Sequence, residues 1–391
     1  MARIFDVLVV GAGPAGLLLG AGLARHGMSV AIIDPGPAEA IETAPSDGRN
    51  IALLAGSRAT MERLGVWRCL SRLVETVREV EVTDPASAAA VHYDTSAHGT
   101  GAFGYGIEPV DLRRGLLEAC RSAPRPPRFV QGEAAAVVRE RDQIRLELTD
   151  GSWLAAKLLV GADGRQSIVR KLAGIDVERW DYAQRGLTAV LQLAEPHGSK
   201  VREWLLPTGP LALLPLRGRR AGLTWAMPSD DAVTLAAKPA AELIAAIAAA
   251  TSGGLRPLAI ESGPTTYPLG ALHAHRYVGP RLALVGDAAH GVHPIHAQGF
   301  NMGVADIGVL VETLVACRRR GMDIGSGEAL LPYARRRRGD NTQRLWLTDS
   351  LLRLTTNRLP PVRIARGLVL GALEHIAPLK RLAVRHGMQT G

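Results

Sequence analysis

The chain has 391 residues, room for two domains, and 47% apolar against 21% charged residues, a globular composition that excludes a disordered or fibrous chain. Its three cysteines, Cys69, Cys120 and Cys317, are odd in number and widely spaced. That excludes a disulfide framework and predicts a reducing, cytoplasmic setting. The net charge of +9 resides in one region: from Arg335 onward twelve Lys or Arg stand against three Asp or Glu, and everything before is neutral.

In chain order, Val7 to Ala24 is an uncharged run that could pass for a membrane span. Gly11, Gly13, Pro14 and Gly16 interrupt it, and only Arg3 precedes it as a basic residue, so it reads as strand, turn, helix. "FDVLVVGAGPAGLLLGAGLARHGMSVAIID" is a βαβ unit. Gly11, Gly13 and Gly16, with Ala15 between them, permit a tight turn, close approach of a diphosphate to the helix N-terminus, and close packing of helix on strand. Asp34, ending the second strand, is placed for a ribose. The pattern predicts a bound dinucleotide but does not separate NAD from FAD.

Residues 75–105 and 175–275 alternate in short runs punctuated by Gly and Pro, which predicts an antiparallel sheet. Between them, "GADGRQSIVR" takes a strand into a helix through Gly161 and Gly164, with Ser167 near the cap; alone, it is an ordinary strand–helix junction. "LALVGDAAHGVHPIHAQGFNMG" follows at 282–303, with Gly286 and Asp287 at a strand end. An acid there suits ribityl hydroxyls. The helix starting near Asn301 would aim its positive end at the pyrimidine edge of a reduced flavin, a need NAD lacks. Two separated nucleotide-contacting motifs therefore favour an extended FAD. His290, His293 and His296 share a three-residue spacing, but Gly291 and Pro294 forbid a regular helix and no ligand set completes a zinc site. They are expected as loop histidines near a flavin, with no metal.

The helix "NMGVADIGVLVETLVACRRRG" closes on Arg318, Arg319 and Arg320, with Gly321 as its stop. The basic tail beyond contains the arginine run 335–338 and, among aromatics, only Trp346. Stacking platforms for bases are missing, so nucleic acid is not expected as a partner; an anionic membrane surface fits better. The glycine junctions group 1–74, 106–174 and 276–334 into a discontinuous α/β, Rossmann-like FAD-binding domain. Residues 75–105 and 175–275 form an inserted antiparallel substrate domain, and 335–391 a basic helical C-terminal region.

The glycine turn, the Gly161–Gly164 turn and the Gly286-Asp287-Ala288-Ala289-His290 segment with Pro294 and Gly299-x-Asn301 occur in the order seen in flavin-dependent aromatic hydroxylases of the p-hydroxybenzoate hydroxylase type, which the chain resembles. More narrowly, "DGRNIALLAGSRATMERLGVW", "RRRRGDNTQRLWLTDSLLRLTTN" and "LPPVRIARGLVLGALEHIAPLKR" are similar to the ubiquinone-biosynthesis hydroxylase family. The resemblance implies that Gly11, Gly13, Ala15, Gly16 and Asp34 hold the ADP half of FAD. It implies that Arg49 approaches the flavin, Arg113 the diphosphate, and that Asp163 serves both flavin and reduced nicotinamide. Gly286 and Asp287 would hold the ribityl chain, and Pro294, Gly299, Phe300 and Asn301 would line the isoalloxazine. Where the family has Gly-Gln-Gly this chain has Ala297-Gln298-Gly299, which predicts an altered loop backbone because Ala resists positive φ.

The activity implied is hydroxylation of a polyprenyl phenol in ubiquinone biosynthesis through a flavin C4a-hydroperoxide, using O2 and electrons from NAD(P)H or a partner reductase. Membership of a ubiquinone-biosynthesis complex and peripheral contact of the tail with the inner face of the membrane go with it. No catalytic base stands out. A hydroxylase of soluble aromatics and a non-catalytic flavoprotein of such a complex are the alternatives.

Overall fold

The computed structural model describes residues 4–87, 89–98, 101–253, 257–357, 359–376, 378–381 and 384. The strand Ile4–Val10 is buried from Val7 onward instead of alternating, the signature of a strand covered on both faces. It lies between Val30–Asp34 and Trp153–Gly161, parallel to both. Leu282–Leu284 and Arg128–Gln131 extend this parallel core on its two sides. The hairpin Ala134–Arg139 and Ile144–Leu148 pairs antiparallel with the first half of Trp153–Gly161. Every parallel strand thus ends at the same edge, where ligands of open α/β sheets bind.

A second sheet has the spatial order His290–Gly291, Pro257–Ala274, Val177–Leu193, Arg220–Pro228, Gly209–Leu216, Lys200–Leu206, Glu79–Asp84, Ala89–Asp94. It is antiparallel except where Lys200–Leu206 runs parallel to Glu79–Asp84. The segment 75–105 is divided: Gly104–Ile107 is the central strand of a separate three-stranded sheet, antiparallel to Ile51–Leu54 on one side and to Glu75–Val77 on the other. That small sheet abuts the large one so closely that a Cβ on Gly106 would lie 1.9 Å from the Pro215 carbonyl. Only glycine fits there.

Among the described residues one helix, Gln298–Arg319, is long and apolar enough to cross a membrane, and 67% of its apolar window is buried inside the protein. It is the helix that packs against both the glycine-turn helix Pro14–Arg25 and the last long helix, Gly327–Thr356. Gly321 stops it at φ +70°, as the sequence implies. The arginine run 335–338 sits in the first half of Gly327–Thr356, and Pro360–His375 then lies across the sheet edge at Ala89–Asp94. The mixed architecture is the α/β fold with an antiparallel sheet and helical C-terminus read from the sequence.

Candidate cofactor site

Between the parallel sheet edge and the large mixed sheet lies a cavity of about 1600 Å³. Gly11, Gly13, Ala15, Asp34, Arg49, Arg113, Asp163, Gly286, Asp287, Pro294, Gly299 and Phe300 all line it. Gly16 and Asn301 do not: both stand behind its wall.

Gly11 has φ +105°, and a Cβ there would meet the Ala162 carbonyl oxygen at 2.6 Å. A Cβ on Gly16 would lie 1.8 Å from the Gly11 carbonyl oxygen, so Gly16 serves the close helix–strand packing. Gly13 has open space where a side chain would stand, leaving its backbone bare to a ligand. Asp34 accepts hydrogen bonds from Ala12 N at 2.7 Å and Gly36 N at 3.0 Å. It therefore braces the glycine turn, and a ribose hydroxyl would use its remaining lone pairs. Asp163 accepts from Ser167 Oγ at 2.5 Å, Ile168 N at 2.7 Å and Val169 N at 3.1 Å. Its carboxylate is committed to the start of the helix Ile168–Leu172, where Ser167 is the N-cap.

Arg49 pairs with Asp47 at 2.6 Å, and its loop is sewn onto the large sheet. Ser262 Oγ donates to the Ser46 carbonyl at 2.9 Å, Thr265 Oγ1 to Asp47 O at 2.8 Å, and Asn50 Nδ2 to Leu223 O at 3.1 Å. Arg113 has its Nε buried without a hydrogen-bond partner among the described residues. A buried, unmet guanidinium donor on a cavity wall is what an anionic diphosphate would satisfy.

The Gly286–Ala288 turn, with Gly286 at φ +57°, sets Asp287 on the wall, and Arg165 approaches its carboxylate at 3.5 Å. Arg165 was not foreseen. It donates to Gly270 O and Val292 O, each at 2.9 Å, tying the turn to the large sheet. Gln298, Gly299 and Phe300, the opening turn of the core helix, line the cavity, so its positive end faces the ligand space.

Asn301 corrects one expectation. Its Oδ1 accepts from Leu54 N at 2.9 Å, and its Nδ2 donates to Ala52 O at 2.7 Å and Ala297 O at 2.6 Å. The side chain holds the strand Ile51–Leu54 to the helix start, with both amide protons taken by backbone carbonyls, and it stands off the cavity wall. Ala297 corrects another: it adopts φ +54°, ψ +29°, the left-handed conformation, despite its Cβ. The bonds made by Asn301 override the local cost.

The histidines diverge. His290 is not on the cavity wall; its Nε2 meets Asp306 Oδ2 at 2.6 Å in the protein interior, and its ring stacks on Tyr277. Asp306 also accepts from Gly286 N at 3.1 Å, Arg337 Nε at 2.8 Å and Asn341 Nδ2 at 3.0 Å. Burial alone would raise this carboxyl, but His290 and Arg337 hold it down to about 2. One member of the arginine run is therefore an internal counter-ion to the residue that fixes the Gly286 turn. His293 does line the cavity; its Nδ1 accepts from Ile295 N at 3.2 Å, and Tyr182 lies edge-on 5.6 Å away. The side chain of His296 lies outside the described residues. The glycine cradle, the unmet Arg113 donor, the helix terminus and Asp287 together fit an extended dinucleotide.

Comparison with known proteins agrees. The model of the FAD binding domain family matches residues 5–343. Ubiquinone hydroxylase UbiL of Rhodospirillum rubrum is 38% identical over 99% of this chain and 90% of its own. The 3-demethoxyubiquinol 3-hydroxylase of Escherichia coli is 34% identical over 98% of both chains. In fold, p-nitrophenol 4-monooxygenase PnpA from Pseudomonas putida superposes with a TM-score of 0.82 at 18% identity, covering 99% of this chain and 98% of its own. The chain belongs to the FAD binding domain family and, within it, to the FAD-dependent monooxygenases that include the ubiquinone hydroxylases.

Proposed function

We propose that the enzyme hydroxylates the aromatic ring of a polyprenyl phenol in ubiquinone biosynthesis, using FAD, dioxygen and an NAD(P)H-type donor. The observation that carries this reading is the cavity itself. At about 1600 Å³ it exceeds the roughly 300–1,000 Å³ of an ordinary ligand pocket. Past the glycine turn and Asp287 it continues between apolar walls that include Phe103, Leu213, Leu214 and Ala226, space for a second, apolar ligand. The names borne by the relatives point to a quinone precursor.

FAD bound here supplies the activated oxygen; the protein binds, orients and excludes water. Gly11, Gly13, Ala15, Asp34 and Arg113 would hold the ADP half, Asp287 the ribityl chain. Arg49, Pro294, Gly299 and Phe300 would border the ring system. Gly16 and Asn301 would act from behind, by packing and by fixing the loop. On the substrate side, Tyr267 lines the cavity, and burial raises its hydroxyl above the ordinary range, so it stays protonated and can donate to a phenolic oxygen.

The same reading divides the chain into flavin-binding segments 1–74, 106–174 and 276–334, a substrate part from 75–105 and 175–275, and the C-terminal region 335–391. It places the enzyme on the cytoplasmic face of a membrane, touching it through that last region, within a ubiquinone-biosynthesis assembly. The test is deletion of the gene followed by mass spectrometry of extracted lipids. Accumulation of a polyprenyl phenol lacking one oxygen supports the proposal, and restoration by the plasmid-borne gene ties it to this chain. An unchanged quinone pool overturns it.

A further inference from the structure

The strand Lys200–Leu206 turns alternate residues to opposite faces of the large sheet. On one face Lys200 and Arg202 meet Glu79 and Glu81, and Trp204 and Leu206 continue into the core beneath the helices Ser229–Ala236 and Ala240–Ala250. On the other face stand Val201, Glu203 and Leu205, and the first two line the cavity. Glu203 is 9% exposed. Its register partners are Val82 on one side and Ala212 on the other, both of them cavity-lining as well. Among the described residues Glu203 makes no hydrogen bond and no ion pair.

Such a glutamate is rare, because a carboxylate taken out of water is costly unless a donor replaces its hydration. The other acids named on the wall have their donors. Asp34 and Asp163 hold backbone N–H groups, Asp287 faces Arg165, and Asp340 meets Arg337. Lys200 and Arg202 are close in sequence to Glu203, but the strand's period of two sends them to the opposite face. Arg366, on the helix that covers this end of the sheet, is committed to Asp84 at 2.8 Å and to Thr355 O at 2.6 Å. Among the described residues, Glu203 is the one charged group that Glu79–Asp84, Ala89–Asp94, Lys200–Leu206 and Gly209–Leu216 contribute to the cavity. Its acceptor oxygens are left to whatever fills the apolar space.

Resting on the substrate reading above, we propose that Glu203 is a substrate-contacting residue: its carboxylate accepts the hydrogen bond of a ring hydroxyl. A bond from a phenolic O–H to a carboxylate is charge-assisted, and so short and strong. It fixes the ring in a space that otherwise offers only apolar contact. It also draws the hydroxyl proton outward and leaves the ring richer in electrons, as a ring that takes up oxygen requires. No bond breaks at Glu203 itself. Tyr267 belongs to Pro257–Ala274, three strands beyond Gly209–Leu216, and addresses a different edge of the ring.

The test uses the full-length, FAD-loaded enzyme and two probes: a phenol carrying one isoprene unit, and its methyl ether, which has no hydroxyl to donate. Affinity is read from the flavin spectrum, turnover from hydroxylated product. The wild type should bind the phenol at least about tenfold more tightly than the ether. Glu203→Leu should erase that preference while holding FAD content and ether affinity within about twofold. It should lower kcat/KM for the phenol about tenfold to a hundredfold. Glu203→Gln keeps a neutral acceptor and should recover part of both losses. A merely structural role would weaken phenol and ether alike, and that result, or an undiminished preference in Glu203→Leu, overturns the proposal. A wild-type flavin that responds to neither probe is a different failure: the substrate reading falls, and this inference with it.

Discussion

Replacing Arg337 by Met tests whether the arginine run works inside the protein. Arg337 is 3% exposed and Asp306 fully buried, and the two meet at 2.8 Å. Met fills most of the volume but leaves Asp306 with His290, Asn341 and Gly286 N only. Breaking a buried ion pair from one side costs roughly 3–5 kcal/mol, because the remaining charge stays desolvated. Its neighbour Arg336 faces solvent, 3.4 Å from an exposed Glu312, so Arg336→Met should cost under about 0.5 kcal/mol. Denaturant titration at saturating FAD measures both. The double variant Arg337→Met/Asp306→Asn removes the stranded charge and should recover much of the loss. Acid adds a second signature. With its carboxyl held at about 2 against 3.8, Asp306 contributes stability that is full above about 3.8 and lost as pH falls toward 2. A cost for Arg337→Met no larger than for Arg336→Met, or a double variant no firmer than the single, would refute the internal role.

Other consequences follow from the same geometry. Ala297→Gly should stabilise the protein by about 1 kcal/mol, since the left-handed backbone at φ +54° is strained for alanine; a lowered melting temperature would contradict this. Asn301→Ala should destabilise by about 2–3 kcal/mol through loss of its three backbone partners, even in the FAD-free protein; an effect confined to the loaded enzyme would argue for direct flavin contact. Asp287→Ala, 44% exposed at its side chain, should keep the fold by circular dichroism yet purify largely colourless, and full yellow occupancy would remove Asp287 from the site. Burial, with Arg338 nearby, lowers His273 to about 4, so its neutral form stabilises the fold above about 6.5 and that contribution drains away between 6.5 and 4. His273→Phe should flatten the acid limb of stability in that window.

What the sequence made legible was whatever depends on backbone shape. Gly11, Gly16 and Gly286 are required by sterics that any reader can anticipate, and the βαβ unit and the helix stop at Gly321 follow from local pattern. What stayed hidden depends on which way a side chain turns. Four consecutive arginines look alike in one dimension, and only the phase of the helix against Asp306 selects Arg337. Asn301 was readable as a residue of the cavity wall because a polar group at a helix start is ambiguous: it can face a cofactor or satisfy orphaned backbone groups. Arg165 carried no signal at all beyond its place in a turn, and its role appears only when Gly270 and Val292 are brought beside it.

The parallel pairing of Glu79–Asp84 with Lys200–Leu206 has a consequence for the chain as it is being made. At ribosomal speed the earlier strand waits on the order of ten seconds for its partner to emerge, with one side of its backbone unpaired. Such an edge invites the wrong neighbour. Its sequence, EVEVTD, meets the hazard with carboxylates that repel a second copy of itself. The strand it awaits begins with the matching cations: Lys200 reaches Glu79 at 2.8 Å and Glu81 at 3.7 Å, and Arg202 approaches Glu81 at 3.9 Å. The charges that look like surface decoration in the finished enzyme are an address label, unread until residue 200 arrives.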